Sequence, residues 1–428
     1  MIGTTVWAGV VGQPAVVDEL SATARSAATE SRTHSGPVAS SDPDRCLASV
    51  STLSGPENVD TDTQRRTMTH AWLFTGPPGS GRSVAARAFA AALQCAEPPA
   101  GQGCGHCQDC RTVLAGTHPD VRNIVPEGLS ISVSEMRALV QTASRRPAAG
   151  RWQIVIIEDA DRLTEGASNA LLKAVEEPPQ RTVFLLCAPS DHPEDVSVTI
   201  RSRCRVVSLR TPSPAAIADV LEHRDGLDAE TAHWAASVCG GHVGRARRLA
   251  RDPEARARRE AVLNVPRVLR AEVDALSAAD TLVGAAETEA RTQTEARDDA
   301  ERTELETALG KGGTGKGAAA AGRGSAGALK DLEKRQKSRA TRTQRDSLDR
   351  ALIDLAGFYR DALTIAFRAD VPLTHPDRAK DVHTAAGQYR PEALLRRLEA
   401  VLACRQALEL NVKPRIAVEA LVTVLRHG

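Results

Sequence analysis

Residues 70–83 read HAWLFTGPPGSGRS, and this stretch decides the fold. Ala71 to Thr75 are apolar enough for a strand covered on both faces, and Gly76 breaks the run. Gly76, Gly79 and Gly81 then space a turn whose successive backbone N–H groups can point at one anion. Val84 to Leu93 (VAARAFAAAL) supply the helix whose positive end adds to that field. Gly76 to Ser83 fits the phosphate-loop pattern G-x-x-x-x-G-K-[ST], with Arg82 in the lysine position. A planar guanidinium is bulkier and differently directed than an ammonium. Weakened nucleotide binding or a vestigial loop is therefore expected, and hydrolysis least of all. The same residues also fit a plain strand-to-helix turn with no ligand.

Downstream, strands are expected at Val121 to Val125, Gln153 to Ile157, Thr182 to Ala188 and Arg205 to Leu209. Helices fit between them, notably Ser134 to Ser144 and Glu165 to Glu177. Continuous apolar strands alternating with helices imply an α/β domain with a parallel sheet. The second of these strands runs IVIIEDAD (154–161) and ends in carboxylates. In that layout Glu158 would hold Mg²⁺ through water and Asp159 would orient an attacking water. The plainer alternative is a pair of acids at a strand end with no metal. A second glycine-rich run, GKGGTGK (310–316), ends before Gly317 rather than Ser or Thr and follows no apolar strand, so it reads as linker.

Cys95, Cys104, Cys107 and Cys110 follow C-x8-C-x2-C-x2-C, a spacing that can close a tetrahedral thiolate shell around a structural Zn²⁺. Disulfides or free thiols are the competing readings, disfavoured in a reducing compartment. Cys46, Cys187, Cys204, Cys239 and Cys404 are scattered and read as packing or surface residues.

Composition narrows the partners. Hydrophobic residues make up 42% and charged residues 25%, as in soluble globular proteins. A net charge of +1 argues against wholesale coating of nucleic acid, although local basic stretches can still touch phosphates. No run approaches the ~18 apolar residues of a membrane span, and no basic residue precedes Arg25, so neither a membrane nor a secretory signal is expected. A cytoplasmic protein is the expectation.

Val6 to Leu20 reads as a short segment followed by a helix, and residues 21–69, rich in Ser, Thr, Asp, Gly and Pro, as a mobile insertion. Past Pro212 strand signals stop, and short helices follow. The domains expected are 1–210 (P-loop), 211–286 (helical), 287–343 (low-complexity linker) and 344–428 (helical).

VVGQPAVVDEL (10–20), GPPGSGRS, the four cysteines, SNALLKAVEEPP (168–179) and TIRSRC (199–204) together resemble bacterial DNA polymerase III clamp-loader AAA+ subunits, of the delta-prime type. The resemblance covers residues 5–20 and 70 to about 260, and more weakly 345–428. It implies an AAA+ P-loop domain, a helical lid at 211–286 and an all-α collar at 344–428, through which subunits form an arc. The arc opens a sliding clamp and closes it on primed DNA. The implied partners are gamma/tau-type ATPases, a delta-type subunit, the clamp and primed DNA.

By the same resemblance, Arg203 of Ser202-Arg203-Cys204 is an arginine finger given to a neighbour's nucleotide, and Arg245 fits the second-sensor position. The altered Arg82 and Glu158-Asp159 match a stator with little or no ATPase of its own, its site holding ATP or ADP with Mg²⁺ weakly if at all. The alternative within the family is a gamma/tau-type motor. Outside it stand a nucleotide kinase with a cysteine-stabilised lid and a zinc-stabilised binding module.

Overall fold

The computed structural model describes residues 5–33, 68–97, 101–270, 275–308 and 318–427. Its contacts divide into two units: Met1–Pro126, Ser130–Val220 and Gly241–Val243 in the first, Glu127–Leu129, Leu221–Gly240 and Gly244–Gly428 in the second.

Unit 1 is a five-stranded sheet in the order β2-β3-β4-β1-β5, every pair parallel. The strands are β1 Ala71–Thr75, β2 Val121–Ile124, β3 Gln153–Ile157, β4 Thr182–Ala188 and β5 Arg205–Ser208. Each lies where the apolar runs put it. The three central strands are buried throughout, so their apolar residues leave no polar face to water. The helices are α1 Pro14–Thr33, α2 Arg82–Gln94, α3 Gln108–Ala115, α4 Val133–Ala143, α5 Glu165–Glu176, α6 Val198–Arg201 and α7 Pro214–Asp219. One core joins Trp72 and Phe74 to α1, α2 and the cysteine loop. The other joins Leu73, Val155 and Phe184 to α4 and α5. Trp72 meets Phe89 edge-on at 4.9 Å between centroids, anchoring α2 on β1.

Helix α1 corrects one expectation. It continues to Thr33, and Thr23, Ala24, Ala27 and Ala28 are buried, so the first part of the expected insertion is helix packed into the core. The run of Ser, Thr and Ala hid a small-residue face at helical spacing. Residues 34–67 lie outside the described residues.

Unit 2 is all helical among its described residues: α8 Ala229–Val238, α9 Val243–Arg251 (from Gly244), α10 Pro253–Arg270, α11 Ala275–Ala308, α12 Ala318–Ala366, α13 Ala379–Gln388, α14 Pro391–Glu409 and α15 Pro414–His427. Leu355, Phe358, Val382, Leu394, Val401 and Val422 are among its core residues.

The linker expected at 287–343 is corrected as well. It is helix on both sides of residues 309–317, which lie outside the described residues along with the glycine-rich decoy at 310–316. Arg339, nearly buried, bonds Asp298 at 2.8 Å and Glu301 at 3.0 Å, Gln336 reaches the Asp298 carbonyl, and Leu332 is buried. Low complexity in the middle masked flanks made of strong helix formers with opposite charges.

Candidate functional site

Gly76 to Ser83 leaves the carboxyl end of central strand β1 and enters α2, the placement a phosphate loop requires. Gly79 has φ 89°, and a Cβ there would lie 2.6 Å from the Cα of His242, so His242 presses on the loop and only glycine fits. Arg82 turns back and donates from Nη1 to the carbonyl of Gly76. Ser83 bonds the buried thiol of Cys187 on β4, whose pKa burial and the nearby Glu158 push up to about 12. The hydroxyl of Ser80 is buried with no hydrogen-bond partner among the described residues.

The acidic pair follows β3, two strands from the loop, with β4 between. Glu158 is engaged by two neighbouring side chains. Its Oε1 accepts from Asn123 at 2.9 Å and Arg87 at 3.1 Å. Asp159 sits at φ 55° and pairs with Arg162 at 4.0 Å. The next acid, Asp161, is largely buried; burial and the adjacent Asp159 raise its carboxyl pKa. Arg87 and Asn123 were not foreseen from the sequence. The available signal was an arginine on the helix that follows the loop.

Arg203 follows the short helix α6 and precedes β5. Because β5 runs parallel to β1, pairing Arg205 with Trp72 and Ser208 with Thr75, Arg203 lies at the end of the sheet opposite the loop. The four strand residues between them add about 13 Å of rise. Its side chain is part exposed, donates to the Thr199 carbonyl at 3.0 Å and pairs with Glu176 at 2.7 Å. The cation therefore faces away from this chain's own phosphate loop.

In unit 2, Arg245 Nη2 lies 2.5 Å from both carboxylate oxygens of Asp354, itself nearly buried. Nη2 is shared between the two oxygens, so this arm of the guanidinium is held by Asp354.

The four cysteine sulfurs lie within 4.8 Å of one another. Cys95 caps the end of α2, and Cys107 is the N-cap of α3, its sulfur accepting the N–H of Cys110 at 3.4 Å. The N–H groups of Cys104 and Cys107 likewise reach the sulfurs of Cys95 and Cys104, at 3.5 and 3.3 Å. Burial raises Cys107 and Cys110, whereas at Cys104 burial is outweighed by N–H donors from Cys107 and His106, leaving it at about 7. Four convergent sulfurs with N–H donors behind them can hold one metal ion as thiolates.

A parallel sheet with a glycine loop after β1, acids after β3 with β4 between them, and a following all-α region is the arrangement of an AAA+ P-loop fold. Residues 56–213 match the family described as DNA polymerase III, delta subunit. The DNA polymerase III subunit delta' of Bacillus subtilis (strain 168) is 35% identical over 158 residues, covering 37% of this chain and 47% of that protein. That of Escherichia coli (strain K12) is 37% identical over 145 residues, 33% of this chain and 43% of that protein. The DNA polymerase III subunit tau of Bacillus subtilis (strain 168) is 35% identical over 141 residues, 33% of this chain and 24% of that protein. The matches span less than half the length of each of these relatives. In this region the chain is similar to bacterial DNA polymerase III clamp-loader subunits, delta' and tau alike. No helix among the described residues is long and apolar enough to cross a membrane.

Proposed function

We propose that this chain is the delta-prime-type stator of a bacterial clamp loader: it completes a neighbouring subunit's nucleotide site and hydrolyses little or nothing itself. The observation that carries this is the position of Arg203, at the end of the sheet away from its own loop and part exposed. An always-charged planar fork in that place suits charge developing on a γ-phosphoryl group held by another chain. The Glu176 pair would hold it between encounters.

The chain's own site supports the same reading. Arg82 is spent on the Gly76 carbonyl, Glu158 is tied to Arg87 and Asn123, and Arg245 is paired with Asp354. Glycine 76, 79 and 81 and Ser83 keep the loop's shape, so residual ATP or ADP with Mg²⁺ is compatible with it, whereas positioning of an attacking water is poorly served. Zn²⁺ suits Cys95, Cys104, Cys107 and Cys110, as a closed structural site with no open position. The helical lid at 211–286 and collar at 344–428 belong to this proposal, as do gamma/tau-type and delta-type neighbours, the sliding clamp and primed DNA.

A gamma/tau-type motor is the second reading, favoured by the tau match at the same identity as the delta-prime one. Steady-state ATP hydrolysis by the isolated chain separates them. The stator stays at buffer background, and Arg82→Ala changes nothing in the assembled loader. Turnover by the isolated chain that Arg82→Ala abolishes would establish the motor.

A further inference from the structure

We propose that the four-cysteine module positions the finger strand, acting through the amino-terminal helix, with Glu19 as the positioning residue; this rests on the finger role given to Arg203. Among the described residues strand β5 is the sheet edge and pairs only with β1, so no described strand on its other side fixes it through backbone bonds. Helix α1 and the turn before it clip both ends instead. At the far end, Gln13 donates to the carbonyl of Arg210 and accepts its N–H at 3.2 Å. At the near end, Glu19 Oε1 meets Arg205 Nη2 at 2.5 Å, and the Arg205 guanidinium lies 4.7 Å from the Trp72 ring centre. Arg205 is two residues from Arg203.

The clip is seated on the cysteine loop. Val6 donates its N–H to Gly103 at 3.1 Å, and the Trp7 indole donates to Gln102 at 3.2 Å. Gly101, at φ 82°, lies so close under the Ala24 carbonyl that any side chain would collide with α1. Leu20, Ala24 and Ala27 share one core with Cys95, Cys110, Val207 and Leu209. Between Cys95 and Gln108 the loop has no helix or strand of its own among its described residues, so a metal shared by the four sulfurs would add the strongest tie to the few hydrogen bonds that join its ends. Contacts thus run from cysteines to α1 to Arg205, and Arg203 follows.

The test uses the full chain, zinc-loaded and after zinc is drawn off by a thiol-reactive mercurial with chelator and then re-reduced. Hydrogen exchange is followed at residues 203–208 and at β4 as a control. Both zinc removal and Glu19→Gln in zinc-loaded protein should speed exchange at 203–208 on the order of tenfold, the effect of losing a partly buried ion pair, while β4 stays slow. In the reconstituted loader Glu19→Gln should lower turnover in the same direction as Arg203→Ala, with Glu19→Asp recovering part of it. Unchanged exchange at 203–208 in both arms overturns the proposal. Faster exchange with normal turnover in Glu19→Gln, while Arg203→Ala is impaired, also overturns it and leaves the finger standing. A harmless Arg203→Ala instead overturns the finger reading and the positioning role together, and is recognisable because exchange still responds.

Discussion

Single residues explain most of the site, and several were invisible in the sequence. Asp120 is the clearest case. It is buried and accepts N–H groups from Ala148, Ala149 and Gly150 at 2.7, 2.8 and 2.6 Å, pinning the loop that leads into β3. Burial alone would raise its carboxyl, but these donors and His118 hold it below the usual carboxylate range. A depressed folded pKa means stability present above the unfolded value of about 4 and lost as pH falls through the folded one. Asp120→Asn should therefore lower stability at pH 7 by about 2 kcal/mol, and the gap to wild type should shrink below about pH 4. Urea unfolding across pH 3 to 7 checks both parts; a gap that widens in acid contradicts the assignment. The cysteines, by contrast, were legible from spacing. Metal analysis of reduced, freshly purified protein should find about one Zn²⁺ per chain, and Cys107→Ser should lose it. Zinc-free wild type would exclude the site. Glu158's partners were not legible, because Asn123 and Arg87 are distant in sequence and only the sheet order brings them together.

At the scale of elements, the sheet was readable because buried parallel strands must be continuous apolar runs, and few other segments of this chain have them. The helices of 275–343 were not, since composition at their glycine-rich centre outweighed the periodicity of their flanks. Their pairing rests on Arg339 and Gln336, which reach Asp298 and Glu301 of α11 only once both helices exist. Amides of residues 290–305 and 330–343 should accordingly exchange slowly, unlike a linker's. Arg339→Ala, which leaves Asp298 and Glu301 without their shared buried cation, should speed that exchange and cost about 3 kcal/mol. Rapid exchange over these stretches in the wild type would show that the hairpin does not form in solution.

For the molecule as a whole, the fold class followed from the sequence, while the division of labour depends on which end of the sheet each charge occupies. Parallel pairing of β1 with β5 sends the phosphate loop one way and Arg203 the other. On the proposed function, Arg203 serves a neighbour's nucleotide rather than this chain's own. The most direct measurement is ATP turnover, stimulated by clamp and primed DNA, in a stoichiometric loader reconstituted with wild-type neighbours and the Arg203→Ala chain. Loss of the donor should slow the adjoining site by on the order of a hundredfold, roughly 3 kcal/mol, with a smaller fall in the whole complex, while the isolated variant stays folded and at hydrolytic background. Wild-type turnover and clamp loading in that verified assembly would contradict the account and leave Arg203 a structural residue held by Glu176.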